Sequence, residues 1–232
     1  MSKDGLSIYR SASARARTLR MWLAIAAVTN GFMTMLLVVQ WFGVWGNETN
    51  WDVLGPLGRL RQWVEPVNNV VFFVTAYMFS RWLRAAYENL PALSPVPDYD
   101  KPSLSPRQVQ WGFFIPFINM LRPFRAARET WQHSAPDGQL ELNSTRLQVW
   151  WIVWSSNYLF AFASSRARVG GAGFEWASDL QWITALDAAG LLSMTISAVL
   201  SILVVREIDA RQTARANWLA AMVPGRVRPQ ED

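Results

Sequence analysis

The sequence predicts an all-α integral membrane protein, with four transmembrane helices and a cytoplasmic interfacial or re-entrant helical hairpin. Three observations predict it. Of 232 residues 51% are hydrophobic and only 17% charged, against about 25% charged in soluble domains. The chain holds 14 Trp, a side chain that favours the membrane–water boundary. Its cations are also segregated. Lys3, Arg10, Arg15, Arg17 and Arg20 precede the first apolar stretch, Arg81, Arg84, Lys101, Arg107, Arg122, Arg125, Arg128 and Arg146 fall in the middle, and Arg206, Arg211, Arg215, Arg226 and Arg228 follow the last stretch. Only Arg59, Arg61, Arg166 and Arg168 remain for the opposite side. By the positive-inside bias, both termini and the central segment belong in the cytoplasm, in a multi-pass protein of the inner (plasma) membrane.

Residues 1–20 form a basic cytoplasmic segment, followed by a four-helix membrane domain over residues 21–222 and a disordered tail over 223–232. The first span, 21–45, is too long for a signal-peptide apolar region and is not closed by a small-x-small cleavage site. Asn30, Gly31 and Thr34 lie together on it as a helix-packing patch. Residues 46–65 carry Glu48, Asp52, Arg59, Arg61 and Glu65 with breakers at Gly55, Pro56 and Gly58, which reads as an extramembrane loop. The second span, 66–87, ends in Arg81 and Arg84, whose long stems let their charges reach the interface. Five prolines over 89–106 leave no helical or strand period there and predict a surface linker.

Ser105 before Pro106 is a helix start, a capping side chain with Pro at the first helical position. The element it opens, 106–134, is interfacial or re-entrant: the apolar residues 109–121 would rise about 20 Å as a helix, short of a roughly 30 Å hydrocarbon core. Pro116 and Pro123 interrupt it further. The third span, 147–164, opens on Trp150, Trp151 and Trp154 and ends at Arg166 and Arg168. Gly170, Gly171 and Gly173 make a turn and lack the strand and helix of a dinucleotide fingerprint. The fourth span, 182–205, continues into a charged helical extension in which Glu207 is spaced for an i,i+4 pair with Arg211.

The absence of Cys excludes disulfides, thiolate metal sites and Cys nucleophiles, and the single His, His133, argues against a metal centre. No cofactor is implied. The net charge of +5 does not point to nucleic acid, because a membrane protein needs basic edges. One His and one intramembrane acid assemble no catalytic constellation, so no enzyme is expected.

Two sets of residues could carry function. Trp111, Asn119, Arg122, Arg125, Arg128, Glu129 and Trp131 combine aromatic and basic side chains at the interface. Arg122, Arg125 and Glu129 share a helical face. Arg122 and Arg125 could clasp an anionic lipid headgroup, or the element could contact a protein partner, a second copy of the chain included. The simpler reading is a basic interfacial helix whose Arg–Glu pairs fix the fold. In the fourth span Asp187 is an acid at membrane depth. It stands on a seam of small and polar residues with Gly190, Met194, Ser197 and Ser201, and Asn157 or Arg166 could partner it. A transporter or channel-like subunit could use Asp187 to handle an ion; a packing pair is the simpler alternative.

The string Trp111-x-x-x-Ile115-Pro116-x-x-Asn119-x-x-Arg122-Pro123-x-x-x-x-x-Glu129-x-Trp131, the Trp150-Trp151 pair opening a span, and Arg211-Gln212 after the last span resemble the bacterial membrane family DUF4328. The resemblance covers about residues 65–220. It implies a small multi-spanning membrane protein, often actinobacterial, of unknown function and with no catalytic residues to carry over.

Overall fold

The structure is a computed structural model that describes residues 9–44, 50–94, 102–115, 117–136, 144–170 and 176–222. The predicted tail over 223–232 lies outside the described residues, as do Gly171 and Gly173 of the predicted glycine turn. Helices dominate: α1 (Ser13–Gly43), α2 (Trp51–Glu88), α3 (Leu90–Leu93), α4 (Pro106–Trp111), a 3₁₀ turn (Ile118–Met120), α5 (Arg122–His133), α6 (Thr145–Gly170) and α7 (Trp176–Met222). Two of the long helices, α1 and α7, are long and apolar enough to cross a bilayer; α2 and α6 carry more polar side chains along their length.

Several boundaries differ from those read off the sequence. α1 begins at Ser13 and so takes in Arg15, Arg17 and Arg20. The expected loop over residues 46–65 is a helix from Trp51 onward, because α2 runs through Pro56 and Pro66 for 38 residues. Each proline deprives only the carbonyl four residues before it, Asp52 or Gln62, of its helical donor. Asp52 and Gln62 are exposed, so those carbonyls stand near the surface rather than in a core. Arg166 and Arg168 are likewise inside α6, and α7 absorbs the fourth span together with its charged extension in 47 residues.

The chain divides into two compact units. Unit 1 comprises Met1–Met21, Thr75–Gln148 and Ile202–Asp232. Its core includes Tyr9, Ala92, Leu93, Ala216 and Leu219. The stretch expected to be a featureless linker therefore contributes α3, whose Leu90, Ala92 and Leu93 are buried. Buried Asn89 fixes this turn: its Oδ1 accepts from the Arg10 N–H at 3.1 Å and its Nδ2 donates to the Arg10 carbonyl at 2.8 Å. Gln212 donates to the Ala86 carbonyl at 2.8 Å and Arg215 to the Leu93 carbonyl at 3.2 Å, so α7 holds the end of α2 and the end of α3 through buried polar bonds. Such bonds are costly to leave unmade once water is excluded, and they fix register where apolar contacts alone would slide.

Unit 2 comprises Trp22–Val74 and Val149–Ser201. Its helices meet along small and polar side chains. A Cβ on Gly190 would stand 3.4 Å from Phe160 Cβ, so α6 and α7 approach closely there. Ser193 donates to the Val153 carbonyl at 2.5 Å and bonds Ser156 at 2.7 Å, and the Trp150 indole donates to Ser201 at 2.7 Å. On α1, Asn30 donates to the Ala26 carbonyl at 2.8 Å and accepts from Asn68 Nδ2 at 3.2 Å. Gly31 faces Thr195, where an added Cβ would lie 3.8 Å from Cγ2. The faces turned away from these seams are apolar and exposed, among them Val28 and Met35 on α1, Val67, Val70 and Phe73 on α2, Ile152, Leu159 and Phe162 on α6, and Leu192, Ile196 and Val199 on α7.

Candidate functional site

In unit 1 the hairpin grows from local chemistry. Ser105 caps α4 by accepting from the Gln108 N–H at 3.3 Å, while the Gln108 side chain accepts from the Ser105 N–H at 2.8 Å. This reciprocal pair satisfies two donors that a helix start leaves open. α4 ends at Gly112, where an added Cβ would stand 3.0 Å from Arg122 Cβ, so the glycine lets α5 approach. Between them Phe117 adopts φ 62°, ψ −38°, a conformation that is strained for a side chain of its size. Phe117 is 86% exposed and Leu121 73% exposed. Trp111, Phe114 and Ile115 are exposed beside them.

α5 presents two faces. Pro123, Ala126, Ala127, Thr130 and Trp131 are buried, whereas Arg125 and Arg128 are exposed. Glu129 gathers four donors: the Ser103 hydroxyl, the Ser103 N–H at 3.1 Å, the Tyr87 hydroxyl, and Arg125 Nε at 3.1 Å. Tyr87 in turn accepts from the Leu104 N–H at 2.9 Å. Burial pushes the Glu129 carboxyl up, but the bonds from Ser103, Tyr87 and Arg125 outweigh it and leave its pKa below the ordinary value. Beyond it, the Trp131 indole donates to Glu207 at 2.9 Å, Arg146 donates to the other Glu207 oxygen at 2.6 Å, and the Arg211 guanidinium lies 4.2 Å from the Trp131 ring centroid.

The seven residues singled out in this stretch therefore separate by role. Glu129, Trp131 and Arg125 are engaged within the fold. Asn119 sits in the 3₁₀ turn, its N–H donating to the Ile115 carbonyl at 3.0 Å. Arg122 packs its stem against Gly112, and Arg128 is exposed; among the described residues neither has an ion-pair partner. Arg107 on α4 is exposed and likewise unpaired. Trp111 is exposed on the apolar surface. Arg125 pairs with Glu129, four residues further along α5. Tyr87, Ser103, Arg146 and Glu207 complete the network. Nothing local in the sequence joins Tyr87, Ser103 or Glu207 to Glu129 or Trp131, since they stand 26 to 76 residues away, and Arg146 enters only through Glu207, 61 residues from it.

In unit 2 Asp187 accepts from the Ser164 hydroxyl at 2.6 Å and is ion-paired with Arg168. Its partner is thus Arg168 rather than Arg166 or Asn157. Ser164 and Arg168 are four residues apart on α6 and share the face turned to α7, whereas Arg166 falls between them on another face. Asn157 lines the same cavity as Asp187. That cavity, about 270 Å³, is also lined by Arg61, Glu65, Asn68, Gly190 and Leu191.

Fold and site together define an all-helical protein with two helices of membrane-crossing length and an apolar, basic hairpin. The chain belongs to the family described as Domain of unknown function (DUF4328), whose model matches residues 57–210. That match takes in the whole of the hairpin and the ion pair of Asp187. No curated protein and no solved structure matches the chain.

Proposed function

We propose that the chain is a four-span bacterial plasma-membrane protein with cytoplasmic termini, and that it is a non-enzymatic binding or regulatory module whose hairpin engages anionic lipid headgroups. The observation that carries this is a juxtaposition at the hairpin. Trp111, Phe114, Ile115, Phe117 and Leu121 expose apolar surface beside Arg107, Arg122 and Arg128, for which the described residues supply no counter-charge. Water is a poor solvent for the first group, and headgroup phosphates are good partners for the second. Each such arginine near an anionic leaflet contributes about 1 kcal/mol. The exposed apolar faces of α1, α2, α6 and α7 support lipid contact along all four long helices, and the cation distribution supports the orientation. Arg125, Glu129 and Trp131 hold the hairpin's shape in this reading.

The test is lipid enrichment around the purified protein in nanodiscs of mixed phosphatidylglycerol and phosphatidylcholine. The wild-type protein retains phosphatidylglycerol preferentially, and the triple variant Arg107→Ala, Arg122→Ala, Arg128→Ala loses the preference. Enrichment that survives the triple substitution would refute the lipid reading and favour a protein partner.

A further inference from the structure

The turn between α4 and α5 is unfavourable in two respects at once. Phe117 holds φ 62°, ψ −38°, and among the described residues it alone, glycines aside, has a positive φ. Glycine takes a positive φ at little steric cost, whereas a bulky side chain does so only where its surroundings force it. Here they do. The Asn119 N–H donates to the Ile115 carbonyl at 3.0 Å, the Met120 N–H to the Phe117 carbonyl at 3.3 Å and the Leu121 N–H to the Ile118 carbonyl at 3.0 Å. On the inner side the Phe113 ring packs against buried Phe79, with centroids 5.4 Å apart. The turn is thereby fixed, and what it holds outward is apolar. Phe117 is the most exposed large hydrophobic residue among the described ones, at 86%, and Leu121 follows it one turn later. A loop tip made only to face water needs neither the strain nor the ring.

The rim identifies the partner. Arg107 precedes Trp111 by one helical turn on α4, Arg122 directly follows Leu121, and Arg128 lies two turns along α5 from it. A second copy of the chain would bring the same cations against this rim, and facing like charges disfavour that contact. An anionic leaflet offers phosphates to the rim and hydrocarbon to the tip, and amphipathic elements of this kind settle about 5–10 Å into the boundary between headgroups and acyl chains. We propose that Phe117 and Leu121 form a wedge that enters among the acyl chains and anchors the hairpin independently of headgroup charge. The wedge rests on the lipid reading for the side of the hairpin that meets the membrane, and it gives the tip a partner distinct from that of the arginines. Salt screens the contact of arginine with phosphate and leaves the burial of apolar surface in place.

The chain has no native cysteine, so single thiols can report depth. Phe117→Cys and Leu121→Cys, each labelled with the fluorophore nitrobenzoxadiazole, are studied as full-length protein in nanodiscs of phosphatidylglycerol and phosphatidylcholine, with native helicity checked by circular dichroism. A lipid nitroxide placed high on the acyl chain should quench either label at least twofold more strongly than a nitroxide on the headgroup. Aqueous iodide should quench both at least twofold less than it quenches the same label at Arg128→Cys. The acyl-chain quenching should persist in about 1 M salt, where charges are screened beyond roughly 3 Å. Labels open to iodide and untouched by the acyl nitroxide overturn the wedge, as does acyl-chain quenching that salt abolishes. Protection from both quenchers also overturns it, since a second copy would then cover the tip. Preferential retention of phosphatidylglycerol beside a water-exposed tip refutes the wedge and leaves the headgroup reading standing; an acyl-quenched tip in a protein without that preference does the reverse.

Discussion

The indole N–H of Trp131 donates to the Glu207 carboxylate at 2.9 Å across 76 residues of sequence, and the same carboxylate takes Arg146 on its other oxygen at 2.6 Å. α5 is thereby bonded to the charged extension of α7. Trp131 is only 5% exposed, so its bond is sheltered from water. A hydrogen bond to a charged group contributes about 1.5–3 kcal/mol. Trp131→Phe keeps most of the apolar contact and removes the donor, and it should lower stability by about that amount. Glu207→Gln keeps an oxygen for the indole but makes that bond neutral, and it loses the ion pair, whose Arg146 side chain is 49% exposed. Its cost should be about 1 kcal/mol. Thermal melts of both variants in one detergent check the order; a larger loss in Glu207→Gln than in Trp131→Phe would contradict it.

Two close approaches by glycine make opposite forecasts. At Gly112 an added Cβ would lie 2.8 Å from the Gln108 carbonyl oxygen and 3.0 Å from Arg122 Cβ. The first neighbour is backbone and cannot swing away. Gly112→Ala should therefore cost about 1–3 kcal/mol, as overpacking does, and should loosen the hairpin. At Gly190 the nearest atoms would be 3.4 and 3.5 Å away, ordinary contact distances. Gly190→Ala is in mid-helix, where Ala is favoured over Gly by up to about 1 kcal/mol, so it should be neutral or stabilising. Melting temperatures of the two variants should move in different directions.

These comparisons also mark what the sequence disclosed. Ser105-Pro106 named a helix start correctly because an N-cap is a local device, complete within four residues. The long apolar runs of α1 and α7, the charged extension of α7 and the packing seam through Gly190 and Ser201 were legible for a similar reason, since helical period survives without knowledge of neighbours. The start of α2 was not legible: Gly55, Pro56, Gly58 and Pro66 are breakers by local rule, and only the assembled helix shows that each is tolerated. The partners of Glu129 were equally hidden, because Tyr87 and Ser103 reach it from 42 and 26 residues away. Arg168 could have been preferred over Arg166 for Asp187 by spacing alone, as it lies one turn beyond Ser164.

Acid should weaken unit 1 in two steps. Burial lowers the His133 pKa from its ordinary 6.5, so the unfolded chain binds that proton first and stability is lost as pH falls from about that value. Glu129 has its pKa lowered from an ordinary 4.5 by the balance described above, so its contribution is present above that value and disappears as pH falls below it. Asp209 runs the other way: burial raises its pKa from 3.8, so in its own window protonation favours the folded state. Unfolding followed by tryptophan fluorescence between pH 7.5 and 3.5 should show both losses. His133→Gln should flatten the upper one and Glu129→Gln the lower; a profile unchanged by either substitution would refute the assignment.

The orientation proposed for the membrane gives a test that needs no purified protein, because the chain has no native cysteine. Val169, at the end of α6, and Arg128, on α5, are both exposed, so a thiol at either position is open to reagent from its own side. The cation bias puts residue 128 on the cytoplasmic side, with eighteen of the 22 Lys and Arg, and residue 169 on the other with four. A membrane-impermeant maleimide added to intact cells should therefore label Val169→Cys at once and Arg128→Cys only after permeabilisation. α6 separates the two positions, and it is more polar along its length than α1 and α7. Equal labelling of both variants in intact cells would place α6 on one side of the bilayer and reduce the four proposed spans to fewer. Labelling of Arg128→Cys alone would invert the orientation and remove the hairpin from the anionic cytoplasmic leaflet that the lipid reading requires.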